Sequence, residues 1–136
     1  MPDATGLELI AHELRDQVPG SIRDTLHFRG IATLVVEPDR VLEVLAWLRD
    51  DPAQRYTFLS SVHGSDYLPA EPRFGVHYEL LNRERVERVH VKVLLDDPGA
   101  PDLPEIDSCC ELFPTADFQE REIFDMFGVR FRGHPD

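Results

Sequence analysis

The sequence contains two residue types that bind metal ions, cysteine and histidine, but their spacing does not predict a metal site. Cys109 and Cys110 are adjacent and lack the Cys-x-x-Cys spacing with which two thiolates hold one ion. None of the six histidines belongs to a His-x-x-x-His pair. Adjacent cysteines also form no ordinary structural disulfide with each other, which favours a reducing compartment. We therefore expect no metal ligands, and we interpret both cysteines as small buried residues.

Patterns for nucleotide binding or hydrolysis are also missing. The sequence has no Gly-x-Gly-x-x-Gly and no Walker loop. Ser60, Ser61 and His63 are close in sequence, but side chains alternate along a strand and nothing around them resembles a nucleophile elbow. We predict no catalytic residue and no cofactor-binding residue from these patterns.

One carboxylate, Glu120, occupies an unusual position. On a helix turning 100° per residue it lies within an apolar stripe formed by Ile123, Phe124, Met126 and Phe127. Such a carboxylate must be paired or hydrogen-bonded, or else its pKa rises. It could transfer protons together with a neighbouring histidine, or it could tie the helix to the following turn or to another subunit. We favour the tie, with a partner in this chain from among Arg121, Arg130, Arg132 and His134.

The elements that position these residues begin with a helix. Thr5–Glu8 has the form of a capping box, and apolar residues then recur at helical spacing until Pro19 and Gly20. His27–Glu37 is predicted as one strand, bent at Gly30. Pro38 suits the first position of a second helix. The inner face of that helix is predicted to consist of Val41, Val44, Leu45 and Leu48.

Tyr56–Asp66 is predicted as a strand, and residues 73–95 as a hairpin about Arg83 and Glu84. In the register that gives both an apolar and a polar face, Tyr78 lies opposite Val89. On the polar face the same register places Glu79 opposite Arg88 and His77 opposite His90. We interpret the two histidines as part of a polar sheet face rather than as half a metal site.

The rest of the chain is predicted as a loop over Asp96–Asp107, a short helix over Ser108–Phe113 and a longer helix over Ala116–Phe127 that ends at Gly128. Together these elements predict an α+β fold: a two-layer sandwich in which a mixed or antiparallel sheet with a central β-hairpin packs against helices. With 136 residues, the chain is expected to form one domain, residues 1–136.

The net charge of the chain disfavours several classes of binding partner. Twenty-six acidic residues against fourteen basic ones give a net charge of −12, which disfavours nucleic acid and anionic membrane surfaces. No apolar run approaches the ~20 residues of a membrane-spanning helix, and the N-terminus does not resemble a signal peptide. We expect a soluble, cytoplasmic chain without direct membrane insertion.

The C-terminal region carries a family resemblance. Residues 120–129, followed by Phe131 and 133–136, closely resemble the end of the C-type subunit of the proton-pumping NADH:quinone oxidoreductase, respiratory complex I. The resemblance covers roughly residues 56–136. It departs from the family at Phe118, where members usually have Trp, and at Asp136, beyond which members usually continue with an Arg-rich segment. The motif residues expected at a subunit interface are Glu120, Arg121, Glu122, Asp125, Phe127, Gly128, Gly133, His134 and Pro135.

The resemblance implies a non-catalytic subunit of an oxidoreductase complex that transfers electrons from NADH to quinone and translocates protons. It implies that NADH, FMN, iron–sulfur clusters and quinone are bound elsewhere in the complex. It also implies docking on the large quinone-site subunit, the D-type subunit, and on other peripheral-arm subunits, at the cytoplasmic face of the membrane. Two alternatives remain: the homologous subunit of an F420-linked dehydrogenase or membrane-bound hydrogenase, and an autonomous small enzyme that uses Glu120 as acid or base.

Overall fold

The structure, a computed structural model, describes residues 2–135. Within this range three helices and seven strands occur in the order α1 (Ala4–Gln17), β1 (Ile22–Phe28), β2 (Ile31–Val36), α2 (Val41–Asp50), β3 (Phe58–Asp66), β4 (Phe74–Asn82), β5 (Glu87–Leu95), β6 (Glu105–Asp107), α3 (Ala116–Phe127) and β7 (Arg130–Arg132). A 3₁₀ turn, Pro38–Arg40, precedes α2 and places Pro38 at the start of the helical segment, as predicted.

The main sheet has five strands in the order β1-β2-β5-β4-β3. β2 and β5 are parallel, and the other neighbouring strands are antiparallel. A separate two-stranded parallel sheet joins β6 to β7. The predicted α+β architecture, with a mixed sheet, a central β4–β5 hairpin and a layer of helices, is confirmed.

One apolar cluster lies between the sheet and the helices. Alternate residues of the central strands, such as Val76, Tyr78 and Val91, are fully buried there. The predicted inner face of α2 belongs to the same cluster: Val41, Val44, Leu45 and Leu48 are each at most 1% exposed. The other face of the sheet, which carries His63, His77 and His90, lies outside the cluster.

The hairpin has the predicted faces but a different register. Tyr78 pairs with Val91 rather than Val89, and His77 pairs with Lys92 rather than His90. The connection spans the four residues 83–86 instead of two, and the Asn82 side chain accepts a hydrogen bond from the backbone of Arg85. Because side chains alternate with a period of two, a shift of two residues exchanges partners without moving any side chain to the other face.

Two predictions in the N-terminal region are wrong. Asp3 caps α1 by accepting a hydrogen bond from the Gly6 backbone at 2.7 Å, so Thr5 lies inside the helix and does not begin a capping box. The single bent strand is two strands, β1 and β2, joined by a tight turn at Arg29 and Gly30, both with positive φ. Gly30 therefore reverses the chain, since glycine adopts this conformation at little cost.

The segment after β5 also differs from the prediction. Residues 105–107 form β6 rather than the end of a loop, because β7 supplies a partner strand 25 residues further on. Residues 108–113 are irregular, with a turn at residues 110–112, instead of a short helix. α3 has its predicted bounds and ends at Gly128, whose φ of 74° is the left-handed conformation of a helix C-cap. Within residues 2–135, no helix is both long enough and apolar enough to span a bilayer.

Candidate functional site

The C-terminal motif is assembled by a chain reversal at Gly128. The Gly128 backbone N–H donates to the Phe124 carbonyl at 2.9 Å and closes α3. β7 then returns alongside the helix and pairs with β6. A cavity of about 530 Å³ lies between α3 and the returning segment. It is lined by Glu120, Arg121, Phe124, Asp125, Arg130, Phe131, Arg132, Gly133 and His134.

Glu120 is completely buried, as its place on the helix predicted. Its carboxylate accepts hydrogen bonds from the Ser108 hydroxyl at 2.6 Å and from the Cys109 backbone N–H at 2.9 Å. The Cys110 thiol donates a third, at 3.3 Å. The prediction of a partner within the chain is confirmed.

The predicted identity of that partner is wrong, because the donors to Glu120 come from the turn after β6 rather than from an arginine or His134. This turn packs beneath the first half of α3 and presents its hydroxyl and backbone N–H to the carboxylate. Hydrogen bonds to a buried carboxylate are each worth about 1.5–3 kcal/mol. The geometry is that of a structural tie, since two donors and a thiol already surround the carboxylate.

The apolar stripe on α3 is narrower than predicted. Ile123 is buried and Phe127 is partly buried, but Phe124 and Met126 are 44% and 73% exposed. The helix rests on β3 at a close approach: a Cβ on Gly64 would lie 2.8 Å from the Phe127 ring. α3 is therefore covered by β3 and by the turn after β6, whereas Phe118 and Met126 are exposed.

The other motif residues have separate positions. Arg121, Glu122 and Asp125 lie at the surface of α3, and Pro135 is exposed beyond β7. His134 is held at the helix start, with Nε2 at 2.9 Å from the Asp117 carbonyl oxygen and 3.0 Å from its carboxylate. The C-terminal motif thus contains two kinds of residue. Glu120 and Gly128 shape the packing and the end of α3, whereas Arg121, Glu122 and Asp125 lie at the protein surface.

Both cysteines beside Glu120 are protonated at neutral pH. Burial, followed by the hydrogen bond to Glu120, raises the pKa of Cys110 to about 11. Burial and the nearby carboxylate also raise the pKa of Cys109 well above its usual range. Since the thiolate is the nucleophile, neither residue is arranged for nucleophilic catalysis. The expectation of buried cysteines is confirmed for Cys109, while Cys110 is half-buried.

Sequence spacing missed one cluster of possible metal ligands. The Cys110 sulfur, an Asp117 carboxylate oxygen and a His134 ring nitrogen all lie within 4.8 Å of one another. These residues are distant in sequence and reach one place only because the turn after β6, the start of α3 and the segment after β7 converge. No local pattern in the sequence could have indicated this.

Three stacked histidines occupy the polar face of the sheet. The ring centroids of His63 and His77 are 4.7 Å apart, and those of His77 and His90 are 5.0 Å apart. His77 Nδ1 lies 2.8 Å from His90 Nε2. The outer nitrogens continue the chain of hydrogen bonds, His77 to Ser65 and His90 to Thr33, both at 3.0 Å.

All hydrogen bonds of this chain are satisfied when both rings are neutral. Each ring has one N–H and one lone pair, so the bonds form in one direction from Ser65 to Thr33 or in the other. A doubly protonated pair would direct two N–H groups at each other. Burial, reinforced by the neighbouring imidazoles, lowers the pKa of His77 to about 3, and burial followed by His63 lowers the pKa of His90 to about 4.

The comparisons with known proteins agree with the C-terminal motif. Residues 34–136 match the family described as the 30 kDa subunit of respiratory-chain NADH dehydrogenase. The chain is 41% identical over 135 residues to the C-type subunit of NADH-quinone oxidoreductase from Roseiflexus sp. strain RS-1, covering 99% of this chain and 73% of that protein. It is 39% identical over 124 residues to the corresponding protein of Citrifermentans bemidjiense, covering 91% and 73%.

Solved structures show the same fold. A trypsin-resistant fragment (1–134) of Nqo5 superposes with a TM-score of 0.74 at 30% identity, covering 96% of this chain and 98% of the fragment. A chain of the archaeal membrane-bound sulfane sulfur reductase superposes with a TM-score of 0.70 at 22% identity, covering 93% and 71%, which shows the fold alone. On the family match and the identity to its relatives, the chain belongs to the family of the 30 kDa subunit of respiratory-chain NADH dehydrogenase, the C-type subunit of complex I.

Proposed function

We propose that this chain is a structural and assembly subunit of an NADH:quinone oxidoreductase that couples electron transfer to proton translocation. In this role it docks on the large quinone-site subunit, the D-type subunit, and on other peripheral-arm subunits. NADH, FMN, iron–sulfur clusters and quinone are bound by those other subunits. The chain would then lie at the cytoplasmic face of the membrane, held there by the complex.

The outward face of α3 carries this proposal. Phe118 and Met126 are 70% and 73% exposed on a helix whose other side is packed on β3. Exposed apolar residues on one face, with charged residues around them, are typical of an interface. The charged residues here are Arg121, Glu122 and Asp125, which belong to the C-terminal motif.

The internal half of the motif supports the same role. Glu120 holds α3 to the turn after β6, and Gly128 allows the chain to return at β7. These contacts keep the outward face rigid, which lowers the entropic cost of docking. We infer that Glu120, Phe127 and Gly128 shape the interface from within, while Arg121, Glu122, Asp125 and the segment Gly133–Pro135 meet the partner.

The test is assembly in the native host, with a tag on the large quinone-site subunit. Phe118→Asp and Met126→Lys should each leave the melting temperature of the isolated chain unchanged and reduce its recovery with the complex at least tenfold. Leu9→Asp is a matched control, because Leu9 is 63% exposed on α1 and outside the motif. Recovery of both α3 variants at the wild-type level would contradict docking through this face.

The electron donor is tested separately in membranes. We propose NADH because the similar proteins are named as subunits of NADH-quinone oxidoreductases. Membranes that lack this chain should lose NADH-driven quinone reduction and regain it when the chain is restored. Retained NADH-driven activity, with loss of hydrogen-driven or F420-driven reduction, would instead favour a related complex.

A further inference from the structure

We propose that Cys110, Asp117 and His134 bind a zinc ion that ties together the turn after β6, the first turn of α3 and the segment after β7. The three possible ligand atoms already lie within 4.8 Å of one another. This inference revises the expectation, based on spacing alone, that the chain has no metal ligands. Its test uses the isolated chain, so it can fail without any consequence for the docking proposal.

The set of ligands matches zinc in type and charge. Thiolate, imidazole and carboxylate are the groups that bind Zn²⁺ in proteins, whereas Mg²⁺ and Ca²⁺ prefer oxygen ligands. One thiolate and one carboxylate carry two negative charges, which balance the ion. The fourth position of a tetrahedral site would be filled by water.

The geometry requires only small adjustments. Zinc–ligand bonds of about 2.0–2.3 Å place neighbouring tetrahedral ligand atoms roughly 3.3–3.8 Å apart. Nε2 of His134 and the Asp117 carboxylate oxygen are now 3.0 Å apart, at hydrogen-bond distance. The ion would bind the lone pair of Nε2 in the neutral tautomer of His134 that carries its proton on Nδ1, and the thiol proton of Cys110 would pass to solvent.

The surroundings supply the support that a metal site needs. The Glu120 carboxylate beside Cys110 is itself held by Ser108 and by the Cys109 backbone, so the negative charge behind the site is fixed in place. His134 also lines the cavity of about 530 Å³ between α3 and β7, which gives an ion a path from solvent. All three proposed ligands are half-buried.

The test uses Co²⁺ as a spectroscopic substitute for Zn²⁺ on the isolated, reduced chain. The wild type should bind one equivalent with near-ultraviolet thiolate-to-cobalt absorption, and Zn²⁺ but not Mg²⁺ should displace the cobalt. Cys110→Ser should abolish this absorption. Cys109→Ser is the matched control and should retain it, since Cys109 is fully buried and outside the cluster. Asp117→Asn and His134→Gln should weaken cobalt binding at least tenfold.

A second measurement remains decisive if the serine variant folds poorly. In the wild type, Zn²⁺ should protect Cys110 from alkylation, detected by mass spectrometry of the peptide that contains it. The proposal is wrong if one equivalent of Co²⁺ produces no thiolate absorption in the wild type. It is equally wrong if the absorption persists in Cys110→Ser, or if Zn²⁺ leaves the alkylation rate of Cys110 unchanged.

Discussion

At the scale of single residues, Glu120 shows how a buried charge can be structural. Its carboxylate is completely buried, and it accepts hydrogen bonds from Ser108 and Cys109. These donors belong to a turn that has no regular secondary structure to hold it. The carboxylate therefore adds to the backbone hydrogen bond from Ser108 N–H to the Arg132 carbonyl, at 2.8 Å, in fixing residues 108–110 beneath α3.

Replacing Glu120 should destabilise the isolated chain. Glu120→Gln keeps the shape and one acceptor oxygen but loses the charge, so we expect a loss of about 1.5–3 kcal/mol. Glu120→Ala should cost more, because the Cys109 N–H then loses its partner in a buried cavity. Urea unfolding measures both. Glu122→Gln, at an exposed site on the same helix, should change stability by less than about 0.5 kcal/mol. Equal losses of stability in Glu120→Gln and Glu122→Gln would contradict a structural role for the Glu120 carboxylate.

The stacked histidines predict a dependence of stability on pH. An unfolded histidine titrates near pH 6.5, whereas the pKa values of His77 and His90 in the fold are about 3 and about 4. At a pH between the folded and unfolded pKa values, the unfolded chain binds more protons than the folded chain. The free energy of unfolding therefore falls as the pH falls from 6.5 towards 4. From pH 7 to pH 4 we expect each ring to lower the free energy of unfolding by at most about 3 kcal/mol, and the two together by at most about 6 kcal/mol.

Urea unfolding between pH 7 and pH 4 measures this effect. In His77→Gln the fall in the free energy of unfolding should be smaller than in the wild type, since one ring with a strongly lowered pKa is removed. His27→Gln is the control, because His27 is exposed on β1 and outside the stack. Identical pH profiles for the wild type and His77→Gln would show that the stacked rings do not govern the dependence.

At the scale of elements, the contact between α3 and β3 depends on a missing side chain. Gly64 lies directly under Phe127 and Ile123, and an added Cβ would meet the Phe127 ring at 2.8 Å. The Gln119 side chain also accepts a hydrogen bond from the Val62 backbone of this edge strand. The helix therefore lies close enough to cover the strand and to hold its outward face in one position.

Gly64→Ala should push α3 away from the sheet. Overpacking of this kind costs about 1–3 kcal/mol. Adding Phe127→Leu, which shortens the side chain above the new methyl group, should recover part of the loss, and a double-mutant cycle in urea measures the coupling. Strictly additive effects of the two substitutions would contradict direct contact between them.

At the scale of the whole molecule, the N-terminal third is part of the sheet. β2 lies between β1 and β5, and its pairing with β5 is parallel. Leu7 and Leu14 of α1 belong to the same apolar cluster as the β4–β5 hairpin. The motifs that indicate the family from sequence lie within residues 56–136, yet this part alone would expose the β5 edge and the core residues that pack against α1, β2 and α2.

We therefore predict that residues 1–136 fold as one unit. A fragment of residues 56–136 should lack a cooperative unfolding transition and should bind a dye that reports exposed apolar surface. Adding residues 1–55 as a separate peptide should restore part of the transition. Circular dichroism during thermal unfolding, with the full chain as control, measures this. A cooperative transition in the fragment alone would mean that the C-terminal part is a domain of its own.

The sequence by itself determined the features that depend on residues close to one another along the chain. These are the bounds of α3 and its end at Gly128, the inner face of α2, the two faces of the hairpin and the burial of Glu120. Each follows from a period of 3.6 or 2, or from the conformational freedom of one glycine. The motif after residue 120 likewise indicated the family without any knowledge of contacts.

Only the tertiary structure decided which groups meet. The hairpin register depends on a four-residue connection and on the Asn82 side chain, and a shift of two residues leaves the same faces apolar and polar. The donors to Glu120 and the cluster of Cys110, Asp117 and His134 come from segments that converge on α3. These contacts depend on the pairing of β6 with β7, two strands that lie 25 residues apart in the sequence. The local periodicity of the sequence carries no information about that pairing.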